Sequence, residues 1–166
     1  ALPDGDCVRF FLWWKDGDGR TDIDLACTVL NDQYETLSSI NYYQLRQEGW
    51  GAHSGDITSA PKGACEFIDI SMTALKAAYT KTSKALYSMP RYLVMQLYSY
   101  TQQPYCDLPE CFAGWMMREY PNSGEIFEPK TVVDKIDLTA NTTVCVPVII
   151  DLETKEMVWS DISLKS

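Results

Sequence analysis

Asp22-Ile23-Asp24-Leu25-Ala26-Cys27-Thr28-Val29-Leu30 alternates residue by residue. Ile23, Leu25, Cys27 and Val29 fall on one side. Asp22, Asp24, Ala26 and Thr28 fall on the other. A period of two is the mark of a strand with one face against a core. The neighbouring segments extend that reading. Cys7 to Trp14 is a dense apolar and aromatic run, short enough for a buried strand. Asp16-Gly17-Asp18-Gly19 lies between the two and reads as a hairpin turn, because Asp-Gly supplies the positive φ such turns need. Asn31-Asp32 marks a second turn, and Leu37 to Tyr43 a third strand.

Further along, Gly49, Gly51, Gly55 and Pro61 make Gln44 to Lys62 mostly loop. Cys65 to Ile70 returns to strand character. Ser71 is placed to cap a helix running to about Tyr87, with Met72, Leu75, Ala78, Tyr79 and Leu86 along one stripe. After Met89-Pro90, Arg91 to Thr101 alternates again: Tyr92, Val94, Gln96, Tyr98 and Tyr100 against Leu93, Met95 and Leu97. Gln102 to Glu110 reads as loop and Cys111 to Arg118 as strand. Pro121-Asn122-Ser123-Gly124 is a turn. Val132 to Leu138, Val144 to Leu152 and Met157 to Ile162 complete the set. Eight or nine short strands and one helix predict a mainly β protein, an antiparallel β-sandwich forming a single domain over residues 1–166. The opening Ala1-Leu2-Pro3, without Met, fits a domain excised from a longer chain.

The chain has 166 residues, a net charge of −9 and a pI near 4.5. That balance disfavours nucleic acid, which is bound by neutralising phosphates, and anionic membrane surfaces. No apolar run is long enough to insert in a membrane. Cations and basic partners suit the charge better. Six cysteines stand at 7, 27, 65, 106, 111 and 145, several within apolar stretches. There they read as reduced structural thiols, which points to a cytoplasmic setting. A four-cysteine zinc site is disfavoured, since there is no Cys-x-x-Cys pair.

Two acidic signatures carry the chemistry. Asp22 and Asp24 share one face of a strand, so like charges are held close and ask for a cation or donor. His53-Ser54-Gly55-Asp56-Ile57-Thr58 adds an acceptor-rich loop, and Glu66 follows in the next strand. Hard cations such as Ca²⁺ take several oxygen ligands, which these segments offer. Asp16-x-Asp18-x-Arg20-x-Asp22 is no EF-hand loop. Thr21 stands where that loop needs Gly, Cys27 where it needs Glu, and the flanks are strands.

Asp-x-Asp in an early strand, then His-Ser-Gly-Asp, then an acid opening an apolar strand, resembles the TerD family of tellurite-resistance and stress-response proteins. Arg91-Tyr92-Leu93-Val94-Met95, Phe112-Ala113-Gly114-Trp115-Met116 and Ile136-Asp137-Leu138-Thr139 extend the likeness, which spans Cys7 to Leu164. The resemblance implies a β-sandwich that binds Ca²⁺ through clustered carboxylates, with Asp22, Asp24, Asp56 and Glu66 at the matching positions. It implies a non-catalytic binding or interaction module with a protein partner. Asp56 is followed by Ile57 and then Ser59-Ala60-Pro61-Lys62-Gly63, so several family acids are missing. That favours one Ca²⁺ rather than two, with Asp107 or Glu110 as replacement ligands.

Three other readings stand beside it. One is a metal-free interaction domain of a larger protein. Another is an enzyme using His53, the single histidine, with Ser54, Cys106 or Cys111. No catalytic elbow motif supports that one, and a hydrogen-bonded loop histidine is the plainer role. The third is a hydrolase using the acidic cluster, with Tyr42, Tyr43, Tyr98 and Tyr100 as a sugar platform.

Overall fold

The computed structural model describes residues 6–15, 22–47, 49–54, 64–80, 89–99, 111–118, 132–137 and 144–164. Among them eleven strands and one helix succeed one another: β1 (Cys7–Trp14), β2 (Ile23–Leu30), β3 (Thr36–Ile40), β4 (Arg46–Gln47), β5 (Gly51–His53), β6 (Ala64–Ser71), α1 (Met72–Thr80), β7 (Tyr92–Ser99), β8 (Cys111–Arg118), β9 (Val132–Asp137), β10 (Val144–Asp151) and β11 (Glu156–Leu164). They form two antiparallel sheets. One has the order β4-β5-β6-β1-β8-β9, the other β11-β10-β7-β2-β3. The expected sandwich is therefore present. The additional strands are β4 and β5, which fall inside the glycine-bearing stretch read as loop. Strands of two and three residues are too short to show a period.

One expectation is corrected. β1 pairs with β6 and β8, whereas β2 pairs with β3 and β7. β1 and β2 are therefore in different sheets and are not hairpin partners, while Asp16-Gly17-Asp18-Gly19 itself lies outside the described residues. Asp-Gly marks a reversal of the chain, but it does not say which strand the returning chain will pair with. The turn at Asn31 does form a hairpin. Its Oδ1 accepts from the N–H groups of Gln33 and Glu35, both at 2.9 Å, and Tyr34 takes up φ 63°.

The core lies between the sheets. Val8, Phe10, Leu12 and Trp14 from β1 meet Ile23, Leu25, Cys27 and Val29 from β2 and Leu93, Met95 and Leu97 from β7. These are the residues that the alternation selects. The opposite face of β1 is buried too: Cys7, Arg9 and Phe11 are inaccessible or nearly so. Burial on both faces explains why β1 reads as a continuous apolar run rather than an alternating one. Pro147 sits in β10, an interior strand, where the register with both neighbours shifts. A residue without an N–H is tolerated in a ladder at such an irregularity.

Helix α1 begins where expected. Ser71 Oγ accepts from the N–H of Ala74 at 3.2 Å, as a capping residue does. Asp6 adds a second cap, accepting from Thr73 N at 2.9 Å, from the Thr73 hydroxyl, and from Ser71 Oγ at 2.6 Å. Leu75 anchors the helix in the core, and the Tyr79 hydroxyl meets Ser38 Oγ at 2.7 Å on β3. Among the described residues no helix is long and apolar enough to cross a membrane.

Candidate functional site

Asp24 lies in β2 and Asp22 just before it. Both are buried, at 5% and 7% exposure for Asp22 and Asp24. Taking carboxylates out of water is costly, so two on one short stretch imply compensating charge or donors close by. The alternation of β2 turns Leu25 toward the core and Asp24 outward. There Asp24 stands opposite Tyr98 of β7 and lines a hollow of about 260 Å³ with Asn41, Tyr42, Gln96 and Tyr98. Part of that wall is aromatic and exposed, through Tyr42 and Tyr98.

Glu66 is placed differently. It precedes Ile68 and Ile70 on the core-facing side of β6 and is fully buried. His53 ends β5 opposite Ile68 and shares that side. Its Nε2 lies 3.1 Å from the Leu25 carbonyl and 3.2 Å from Glu66 Oε1. A carbonyl only accepts, so Nε2 carries the proton and the ring donates. His53 thus ties β5 and β6 to β2 of the other sheet. Its own N–H donates to the Leu45 carbonyl at 2.7 Å. Ser54 prolongs the pairing: its N–H donates to Phe67 O, and its Oγ accepts from Phe67 N, both at 2.8 Å.

Of the expected ligands that lie among the described residues, Asp24 and Glu66 are not brought together. Asp24 lies on the outer face of the second sheet, whereas Glu66, from β6 of the first sheet, enters the core between the sheets. Asp56 lies outside the described residues, as do Asp107 and Glu110. Among the described residues no three His, Cys, Asp or Glu side chains gather in a way that would hold a metal ion. Asp22 and Asp24 retain the right donor chemistry for a hard cation, and would supply part of its oxygen set.

The thiols are inert in character. Burial pushes the Cys65 thiol up to about 12; nearby Arg9 opposes this and Glu66 adds to it. Burial also pushes the Cys27 thiol up, against a hydrogen bond from the Val94 backbone. Neither is a thiolate at neutral pH, so neither is a ready nucleophile.

One buried polar feature among the described residues was not anticipated. On the outer face of the first sheet, Arg9 and Asp69 form a two-pronged pair, Nε to Oδ1 and Nη2 to Oδ2, both 2.6 Å. The guanidinium also lies 4.0 Å from the centre of the Phe67 ring. A signal existed in the sequence: Arg9 interrupts an apolar run, and Asp69 sits between Ile68 and Ile70. Their pairing depended on the β1–β6 register, which aligns Arg9 with Asp69.

No protein-family model matches the sequence, and no curated protein gives a significant match. Solved structures do match. One is of a homologue of the telluride resistance protein TerD from Streptomyces coelicolor A3(2), with a TM-score of 0.70 at 9% identity, covering 98% of this chain and 92% of that one. Another is of a protein of unknown function, with a TM-score of 0.65 at 13% identity, covering 99% and 92%. The chain has a TerD-like fold over almost its whole length.

Proposed function

We propose that this TerD-like sandwich is a non-catalytic, calcium-binding module of the tellurite-resistance and stress-response type, working in the cytoplasm. The observation that carries the reading is the burial of Asp22 and Asp24 together at the start of β2, in a chain of net charge −9. Ca²⁺ takes six to eight oxygens, roughly, and neutralises such carboxylates at low geometric cost. Asp22 and Asp24 would hold it, with Asp56 as the further ligand. Glu66 is withdrawn from that set, since it is engaged with His53. Ser54 Oγ, one of the candidate nucleophiles, already accepts from the Phe67 N–H, which favours a binding role for that loop.

Titration calorimetry on chelator-treated protein tests this. Ca²⁺ should give saturable heat and raise Tm, by about 2.7 kcal/mol of added stability at a hundredfold excess over Kd. Asp22→Asn and Asp24→Asn should each weaken it, and Glu66→Gln should change affinity least. Absence of heat and of any Tm shift in millimolar Ca²⁺ would remove the metal from the reading.

A metal-free interaction module remains the second reading. Its support is the set of exposed tyrosines, Tyr34, Tyr42, Tyr43 and Tyr98. Aromatic side chains with a polar tip are enriched where proteins meet. That reading predicts partner capture that is unchanged by chelators.

A further inference from the structure

Lys76 on α1 and Lys155 in the β10–β11 turn line one cleft of about 430 Å³. Its apolar wall is Met72, Met89, Pro90 and Leu152. An adjoining hollow carries the same two lysines and Met72. The size falls within the range of small-molecule sites, about 300 to 1,000 Å³. Among the described residues its lining joins that apolar wall to the charged Asp32, Lys76, Arg91, Glu153 and Lys155.

The charges in the cleft are not evenly used. Arg91 is engaged, with Nη2 at 3.4 Å from Asp151 Oδ2 and Nη1 at 3.3 Å from Glu153 Oε2. Asp6, in the adjoining hollow, is held by Ser71 and Thr73, although Lys155 is near enough for its charge to be felt there. Asp32 is the acid left on the cleft wall. Among the described residues the ion pairs involve Arg9, His53 and Arg91, and neither lysine. Two lysines outside the ion pairs of the described residues stand at one cleft in so acidic a chain.

Lys155 also holds φ 57°, in the left-handed region. Glycine would sit there without the cost of roughly 1–2 kcal/mol that a side chain incurs. A lysine occupies the position instead, and its side chain lines the cleft.

We propose that this cleft binds a small amphipathic organic anion. Its carboxylate or phosphate head is met by Lys76 and Lys155, and its apolar body packs on Met72, Met89, Pro90 and Leu152. The proposal is independent of the calcium reading.

The test is calorimetric titration of the whole chain with octanoate, octyl phosphate, 1-octanol and inorganic phosphate, each below any micellar concentration. At least one amphipathic anion should bind saturably, one per chain, and more tightly than octanol or phosphate alone. The better of octanoate and octyl phosphate identifies the head group. Lys76→Gln and Lys155→Gly should each weaken the anion about three- to fivefold, the scale of a partly exposed ion pair, and leave octanol unchanged. Lys155→Gly relieves the backbone, so its urea midpoint should equal or exceed that of the parent chain, which separates lost binding from lost folding. Octanol binding as well as both anions, unaltered affinity in both variants, or no saturable heat from either anion would overturn the proposal.

Discussion

At the scale of single residues, two buried polar pairs give sharp tests of what the interior tolerates. Arg9 and Asp69 are joined by two short bonds on a face that excludes water. Removing one partner strands the other charge, which costs roughly 3–5 kcal/mol. Arg9→Met and Asp69→Leu should each lower the urea-derived unfolding free energy by about that much. The double variant should recover most of it, because the gap between an intact buried pair and its apolar replacement is small. A double variant no better than the singles would show that the pair is net stabilising. His53 is the second case. His53→Ala removes the bond to the Leu25 carbonyl and leaves buried acceptors behind, an expected loss of about 1–3 kcal/mol. His53→Gln places an amide N–H near the position of Nε2 and should restore part of that stability. If Gln and Ala fell equally, the hydrogen bond would not be what His53 contributes.

Among the elements, the strands with a clear period were legible and the short ones were not. β2 and β7 declare themselves because one face is buried and, but for Ser99, apolar, while the other mixes polar and partly exposed side chains. β8 begins and ends where the sequence placed it, at Cys111 and Arg118. β4 and β5 were invisible, since Arg46-Gln47 and Gly51-Ala52-His53 carry no pattern; they exist because β6 offers an edge to pair with. Gly51 shows the tertiary cause. A Cβ there would collide with Ile40 Cδ1, the last residue of β3, so the glycine marks where the two sheets close rather than a loop. Gly51→Val should therefore cost about 1–3 kcal/mol as overpacking, while Gly51→Val with Ile40→Val should regain part of it. The measurement is again a urea midpoint. A Gly51→Val variant as stable as the parent would mean that the Ile40 side chain turns aside without cost.

For the whole molecule, the candidate site was legible as residue chemistry but not as an assembly. The sequence marked Asp22, Asp24, His53 and Glu66 as unusual, and each is buried. The alternation placed Asp24 outward, but it did not reveal that His53 and Glu66 would meet in the core, because parity on one strand says nothing about which strand lies across from it. The same limit applies to charge. Net charge is −9, yet particular carboxylates set the response to pH. Burial tends to raise the Asp6 carboxyl, but bonds from Ser71 and Thr73 and the nearby Lys155 charge hold it below its ordinary 3.8. Burial likewise opposes Asp151, but the Arg91 guanidinium and the N–H groups of Thr154 and Glu153 hold it low. For both, the unfolded chain binds more protons as pH falls below 3.8, so their stabilisation is complete above that value and is lost below it. Cys65 acts in the opposite sense. Its thiol keeps its proton in the fold up to about 12, whereas the unfolded thiol ionises from about 9.0, so stability declines as pH rises across that interval. Tm should accordingly be level between about pH 5 and 8 and fall on both sides. Asp6→Asn with Asp151→Asn should lower the plateau and flatten the acid limb, and Cys65→Ser should shallow the alkaline limb while leaving the acid limb unchanged. Thermal melts across pH 2.5–11 check all three, and an acid limb as steep in the double Asn variant as in the parent would assign acid unfolding to other carboxylates.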